Sequence, residues 1–181
     1  MEPQAFEAVY TWNGPPHIEF QRQVGHALQY PVHRLVVQRG QPGAVVVAHR
    51  NRSVVLVRSR RLAAAEELWE FPRGFGEPGD QLANCRDASV TAGVRELVEE
   101  TGLRPLSAHS LGSYILDSSI YPSRVGVVWV EVADGEPAGP RDGEIEELRW
   151  VPLEDLAGLV ARDTIRDAHT LAAVSFVLSS R

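Results

Sequence analysis

Two apolar, β-branched runs, Ala44 to His49 and Ser53 to Arg58, flank the polar triplet Arg50-Asn51-Arg52. That pattern predicts two strands joined by a short basic turn. Upstream, His17 to Gln23 and Tyr30 to Gln38 read as shorter strands of an N-terminal hairpin, after an irregular stretch over residues 1–15. Leu62 to Leu68 reads as a short helical turn or a loop. The pattern then changes period. Val90, Val94, Leu97 and Val98 fall on one side of a helix, as a buried stripe should. Asp87 is placed to cap that helix and Gly102 to end it in the left-handed conformation. Gly93 in its interior costs roughly 1 kcal/mol relative to Ala. Ser110 to Leu116, Val125 to Val132 and Glu146 to Val151 read as strands, the last two separated by turn-rich sequence. A helix starts at Pro152 and another covers Thr164 to Leu178. Strands joined by hairpins and flanked by helices predict an α/β protein with a mixed sheet.

Composition adds little to that picture but excludes some of it. A chain of 181 residues, 44% hydrophobic, suits one domain with a short additional element. The net charge of −6 provides no overall field for nucleic acid or an anionic membrane, so neither is expected as a partner. No apolar run approaches a membrane span and no leader is evident, so a cytoplasmic location is expected. The single Cys85 excludes an intrachain disulfide framework. The histidines show no ligand pair at helical spacing, so none is assigned to metal.

The chemistry concentrates in Arg95-Glu-Leu-Val-Glu-Glu-Thr-Gly-Leu103. Glu96, Glu99 and Glu100 have i, i+3, i+4 spacing and share an arc of roughly 100° on a helix. Three acids this close repel one another unless a cation intervenes. Mg²⁺ takes oxygen ligands, often one or two carboxylates together with substrate phosphate. A solvated acidic helix end is the simpler alternative, and Glu-Glu-x-Gly alone would not exclude it.

The stretch resembles the Nudix box, whose second half it completes with Arg95, Glu96, Leu97, Glu99, Glu100, Gly102 and Leu103. The first half departs from the pattern. Gly74 is followed after five residues by Asp80 rather than Glu, and fourteen residues separate Asp80 from Arg95 where the family has seven. An insertion in the loop explains this best. Asp87, which has the ordinary spacing to Arg95, is the alternative acid. The resemblance implies a Nudix α/β/α sandwich over residues 41–181, preceded by an extension over 1–40, and Mg²⁺ or Mn²⁺ as cofactor.

Val54 to Arg61, Leu68 to Gly74 and the tail from Trp150 are further similar to the ADP-ribose pyrophosphatase branch. That branch carries a marker proline where this chain has Ser118; the nearest proline is Pro122. The resemblance implies hydrolysis of a nucleoside diphosphate linked to another moiety, ADP-ribose or a nucleotide sugar first. A nucleoside triphosphate pyrophosphohydrolase and a non-catalytic ligand-binding module are the alternatives. It also implies roles for residues. Glu96, Glu99, Glu100 and the backbone carbonyl of Arg73 would hold metal, with Arg95 orienting the carboxylates. Glu144, then Asp142, or a box glutamate such as Glu99 or Glu100, would be the general base. Arg58 and Arg61 would bind phosphate, Arg61 preferred. Glu70 would meet a ribose hydroxyl or serve structure. Tyr121, Phe75 or Trp12 would stack on the base, whereas Trp129 and Trp150 belong to the core. A homodimer is expected from the branch, with the N-terminal hairpin contributing.

Overall fold

The computed structural model describes residues 5–24, 32–80, 85–135, 137 and 145–180, the side chains of 85–87 excepted. Three N-terminal strands, β1 (Ala5–Trp12), β2 (Ile18–Val24) and β3 (His33–Val37), form an antiparallel sheet in that order. β1 corrects the expectation of an irregular start. It runs from Ala5 opposite Val24 to Trp12 opposite Ile18. Only Phe6 on it is even half-buried, so it lacks the apolar alternation that reveals a strand.

The main sheet contains β4 (Gly43–Arg50), β5 (Ser53–Arg61), β8 (Pro105–Asp117), β9 (Tyr121–Val132) and β10 (Ile145–Pro152), ordered β10-β5-β4-β9-β8. Two short strands join it: β6 (Glu66–Glu70) against β5, and β7 (Arg73–Gly74) against β4. β4 and β9 are parallel while their other neighbours are antiparallel, giving the expected mixed sheet. Asn51 and Arg52 both have positive φ, as a two-residue type I′ hairpin requires. Leu62 to Ala65 form a turn, in line with the loop alternative, and Glu66 to Leu68 begin β6 instead.

Both faces of β4 are covered. Val45 and Val47 pack with Leu56, Phe71, Val127 and Leu156 on one side. Ala44, Val46 and Ala48 pack with Val57, Leu97, Val128 and Val130 on the other. Helix α1 (Cys85–Thr101) covers the second face; α2 (Leu156–Ala161) and α3 (Ala168–Ser179) contribute to the first. Trp129 and Trp150 pack partly buried against these clusters, as expected of core tryptophans.

Two expectations about α1 change. Its first residue is Cys85, so Asp87 lies inside the helix rather than at its cap. Its buried face is not the valine stripe: Val90 and Val94 are half-buried and Val98 is 39% exposed. The row facing the sheet is Ser89, Ala92, Gly93, Leu97 and Glu100. Small side chains let the helix approach closely; a Cβ on Gly93 would lie 3.1 to 3.3 Å from Val46, Val128 and Ala44. A Cβ on Gly126 of β9 would collide with Ser89. The helix does end at Gly102 (φ 68°), whose N–H donates to the Val98 carbonyl at 2.9 Å.

Candidate active site

This close approach carries part of the acidic face inward. Glu96 and Glu100 line a cleft of about 680 Å³, together with Gly74, Arg73, Arg61 and His169. Glu100 is only 5% exposed. Glu99, half a turn away from the sheet, is exposed and does not line the cleft. It pairs instead with Arg95, whose Nη1 lies 2.9 Å from its Oε2. Gly74 is the point of closest approach to the acids: a Cβ there would overlap the Glu96 carboxylate. The backbone of β7 and that carboxylate can therefore meet only at a glycine.

Arg95 ties the acidic helix to the loop after β7. Its Nη1 is 2.9 Å from Glu96 and 3.8 Å from Glu77, its Nη2 is 3.6 Å from Asp80, and it donates to the Phe75 carbonyl at 2.9 Å. Burial works against its charge, but Glu96, Glu77 and Glu99 outweigh that and hold the guanidinium above its ordinary pKa. Asp80 accepts from the Glu77 N–H at 2.7 Å and so closes the loop. It stands near Arg95, where the insertion reading puts the box acid, though it does not line the cleft. Gln81 to Asn84 of the insertion and the side chain of Asp87 lie outside the described residues.

The cationic part of the cleft is built from two buried acids. Glu70, fully buried, takes Arg61 on one oxygen (Nε at 2.7 Å) and Arg73 on the other (Nε at 3.3 Å). Arg73 also reaches Asp167 at 3.5 Å. Asp167 caps α3 by accepting from the N–H and hydroxyl of Thr170, both at 2.8 Å. Thr170 in turn accepts from the N–H of Phe71, next to Glu70. Glu70 thus spends both oxygens on arginines and does not line the cleft.

Arg58 is not brought to the cleft. Its guanidinium sits 3.5 to 3.7 Å from Glu67, Glu146 and Glu147 across β6 and β10. Tyr121 and Phe75 line the cleft, whereas Trp12 does not; it is 53% exposed, its indole against Gly14. Glu144 and Asp142 lie outside the described residues. The N-terminal sheet closes one border through Pro15, Pro16, Ile18, Val37 and Gln38.

His169 has no counterpart among the residues singled out by sequence. It is the second residue of α3 and lines the cleft, with Nδ1 2.5 Å from the Tyr114 hydroxyl. Burial, then the nearby Arg73 and Arg61, push it down to about 4, so it is neutral near pH 7. Burial, reinforced by Asp167, raises the Tyr114 phenol. Only the Arg-Asp-x-His stretch after Ile165 could have signalled it, and nothing in its spacing separates it from an ordinary helix start.

Hard oxygen donors at Glu96 and Glu100, beside a backbone that only glycine lets approach, fit a divalent cation such as Mg²⁺. Among the described residues no group of three or more His, Cys, Asp or Glu is arranged so that it could hold a metal ion by itself.

A family model, the NUDIX domain, matches residues 39–174. Among curated proteins, the chain is 29% identical over 121 residues to an NAD-capped RNA hydrolase NudC of Chromobacterium violaceum, covering 67% of this chain and 41% of the relative. It is 30% identical over 122 residues to the CMP-5'-(N-acetyl-N-hydroxy-3-aminopropyl)phosphonate hydrolase of Streptomyces rubellomurinus, covering 66% and 55%. The chain therefore spans about half the length of these relatives. A crystal structure of an ADP compounds hydrolase superposes with a TM-score of 0.71 at 18% identity, covering 97% of this chain and 90% of that one, a likeness of fold. Among the described residues, no helix is long and apolar enough to cross a membrane.

Proposed function

The chain belongs to the NUDIX domain family, and on that premise we propose that it is a Mg²⁺-dependent pyrophosphohydrolase acting on a nucleoside diphosphate linked to another moiety. ADP-ribose or a nucleotide sugar is the leading substrate, giving a nucleoside monophosphate and a phosphorylated remainder. One observation carries the reading: two glutamates and two arginines share one cleft, with Gly74 at the closest approach.

In this reading Glu96, Glu100 and the Arg73 carbonyl would hold the ion, while Glu99 stays outside the cleft with Arg95. When bound, Mg²⁺ neutralises phosphate charge, orients the phosphates and lowers the pKa of water. The protein supplies the rest. Arg61 and Arg73 grip phosphate oxygens through guanidinium forks already oriented by Glu70 and Asp167, so little ordering remains at binding. Arg95 holds Glu96 in place through their ion pair. Tyr121, with Phe75, offers a face for the base. Glu144 remains the first choice for general base, ahead of Asp142 and the box glutamates Glu99 and Glu100.

A second reading is favoured by the relatives' names. NAD-capped RNA hydrolases, and an RNA pyrophosphohydrolase of Brucella ovis at 25% identity, suggest the same diphosphate chemistry at the end of a longer nucleotide.

Mg²⁺-dependent product release from ADP-ribose, nucleotide sugars, dinucleoside polyphosphates and nucleoside triphosphates tests the proposal, with Glu100→Gln as control. Cleavage of a diphosphate-linked member, lost in the variant, supports it. Cleavage of triphosphates alone replaces the substrate class, and no turnover on any member favours a binding module.

A further inference from the structure

Next to the cleft lies a second groove of about 530 Å³, between β2, β3 and the start of β9. The two share Val37, Tyr121 and Ser123, so they adjoin at Tyr121. The lining of the groove reverses the sign of the molecule. The chain carries a net −6, yet the groove presents Arg34, Arg39 and Arg124 against a single acid, Glu19. That acid is already engaged, by His17 at 2.9 Å and Gln21 at 2.5 Å.

Arg34 is held in advance of any ligand. Its guanidinium carbon stacks 3.8 Å over the Phe6 ring and its Nε donates to Gln21 at 2.8 Å. That pose fixes the plane of the fork and spends only one of its five N–H donors on Gln21. Arg124 stands on β9, three residues beyond Tyr121, with Nη1 3.3 Å from the Ser113 hydroxyl. Arg39 sits in the turn after β3 and is exposed. The β3 side of the groove is tied to the turn between β8 and β9 by the Leu35 N–H, which donates to the Ile120 carbonyl at 2.7 Å.

We propose that this groove is a phosphate-binding subsite for the part of the substrate that extends past Tyr121. Resting on the pyrophosphate reading above, it assigns the enzyme to substrates bearing further phosphate beyond the bond that is cleaved. Guanidinium forks around a groove that continues the active cleft suit such phosphate bidentately. ADP-ribose alone would leave the groove unused. The phosphate could be a monoester on a terminal ribose or a diester in a nucleotide chain.

Two measurements decide the matter, on the wild type and on Arg39→Gln/Arg124→Gln, with matched melting curves. The first compares kcat/KM on ADP-ribose, on ADP-ribose with a 2′-phosphate and on a diphosphate-capped trinucleotide. The second follows binding of a fluorescent 5′-phosphorylated trinucleotide by anisotropy across salt, with Mg²⁺ absent and no turnover. The wild type should prefer a phosphate-bearing substrate by tenfold or more, and the variant should lose most of that ratio. The salt slope should fall by about 0.7 for each phosphate that the variant no longer neutralises. Preference for the 2′-phosphate alone identifies a monoester subsite; preference for the trinucleotide identifies a diester one. Arg-dependent binding without turnover of any substrate keeps the subsite and rejects the pyrophosphate chemistry. Turnover with no phosphate preference, or equal losses on all three substrates, overturns the subsite.

Discussion

Glu96, Glu99 and Glu100 look equivalent on a helical wheel, and the fold makes them different. Two enter the cleft and the third stays outside with Arg95. Glu100→Gln should therefore lower kcat by orders of magnitude, while Glu99→Gln should cost much less; equal losses in steady-state turnover would contradict the division. The motif made the acids legible, but their depth depended on helix–sheet distance, which no spacing encodes. His169 was illegible because its partner, the Tyr114 hydroxyl, comes from far along the chain; Glu70 was legible as a candidate, but not its two arginine partners. His169 gives a pH prediction. Its folded pKa of about 4 lies below the ordinary 6.5, so the native state binds fewer protons than the unfolded state between those values. Its contribution is complete above about pH 6.5 and is lost as pH falls toward 4. Urea unfolding should show a wild-type loss, relative to His169→Gln, on the order of 2 kcal/mol across that window. Parallel pH profiles would show that His169 already charges freely in the fold.

Among elements, α1 shows how a sequence can give the right helix with the wrong face. Four β-branched or large apolar residues outweigh Ser89, Ala92 and Gly93 in any amphipathic reading. The sheet selected the small row because its own surface is filled by Val46 and Val128. Strands β4, β5 and β9 were legible because burial on both faces leaves continuous apolar runs, whereas β1 has almost no buried side to betray it. Gly93→Ala tests the packing directly. Intrinsic propensity favours Ala by roughly 1 kcal/mol. The new methyl would meet side-chain carbons of Val46, Val128 and Ala44 at 3.1 to 3.3 Å, so three packed neighbours must each give by a few tenths of an ångström. Overpacking of this kind costs about 1–3 kcal/mol, so the variant should be less stable by about 1 kcal/mol net. If the helix lifts to fit it, affinity for the divalent ion proposed above should fall as well. A more stable variant with unchanged Mg²⁺ affinity would show that α1 has room to spare.

At the scale of the whole molecule, the N-terminal sheet borders the cleft and presents an edge that has no partner strand among the described residues. Pro15, Ile18 and Gln38 line the active cleft, while β1, three strands away from the core, exposes Val9, Tyr10 and Trp12 at 58%, 59% and 53%. An open edge strand with apolar residues is a template for pairing with another chain. A second copy is the simplest partner, and pairing β1 edge to β1 edge would satisfy a two-fold axis. If so, the dimer steadies the same sheet that closes the substrate site. Tyr10→Lys should shift sedimentation from dimer to monomer, since a lysine on an edge strand opposes pairing. Because Tyr10 lies outside the cleft, the loss should register mainly as a raised KM that protein concentration no longer relieves, with kcat largely kept. A wild type that sediments as a monomer at micromolar concentration would remove the dimer. A monomeric variant with unchanged KM would show instead that β3, anchored at Leu35, holds the sheet over the cleft without help from a second copy.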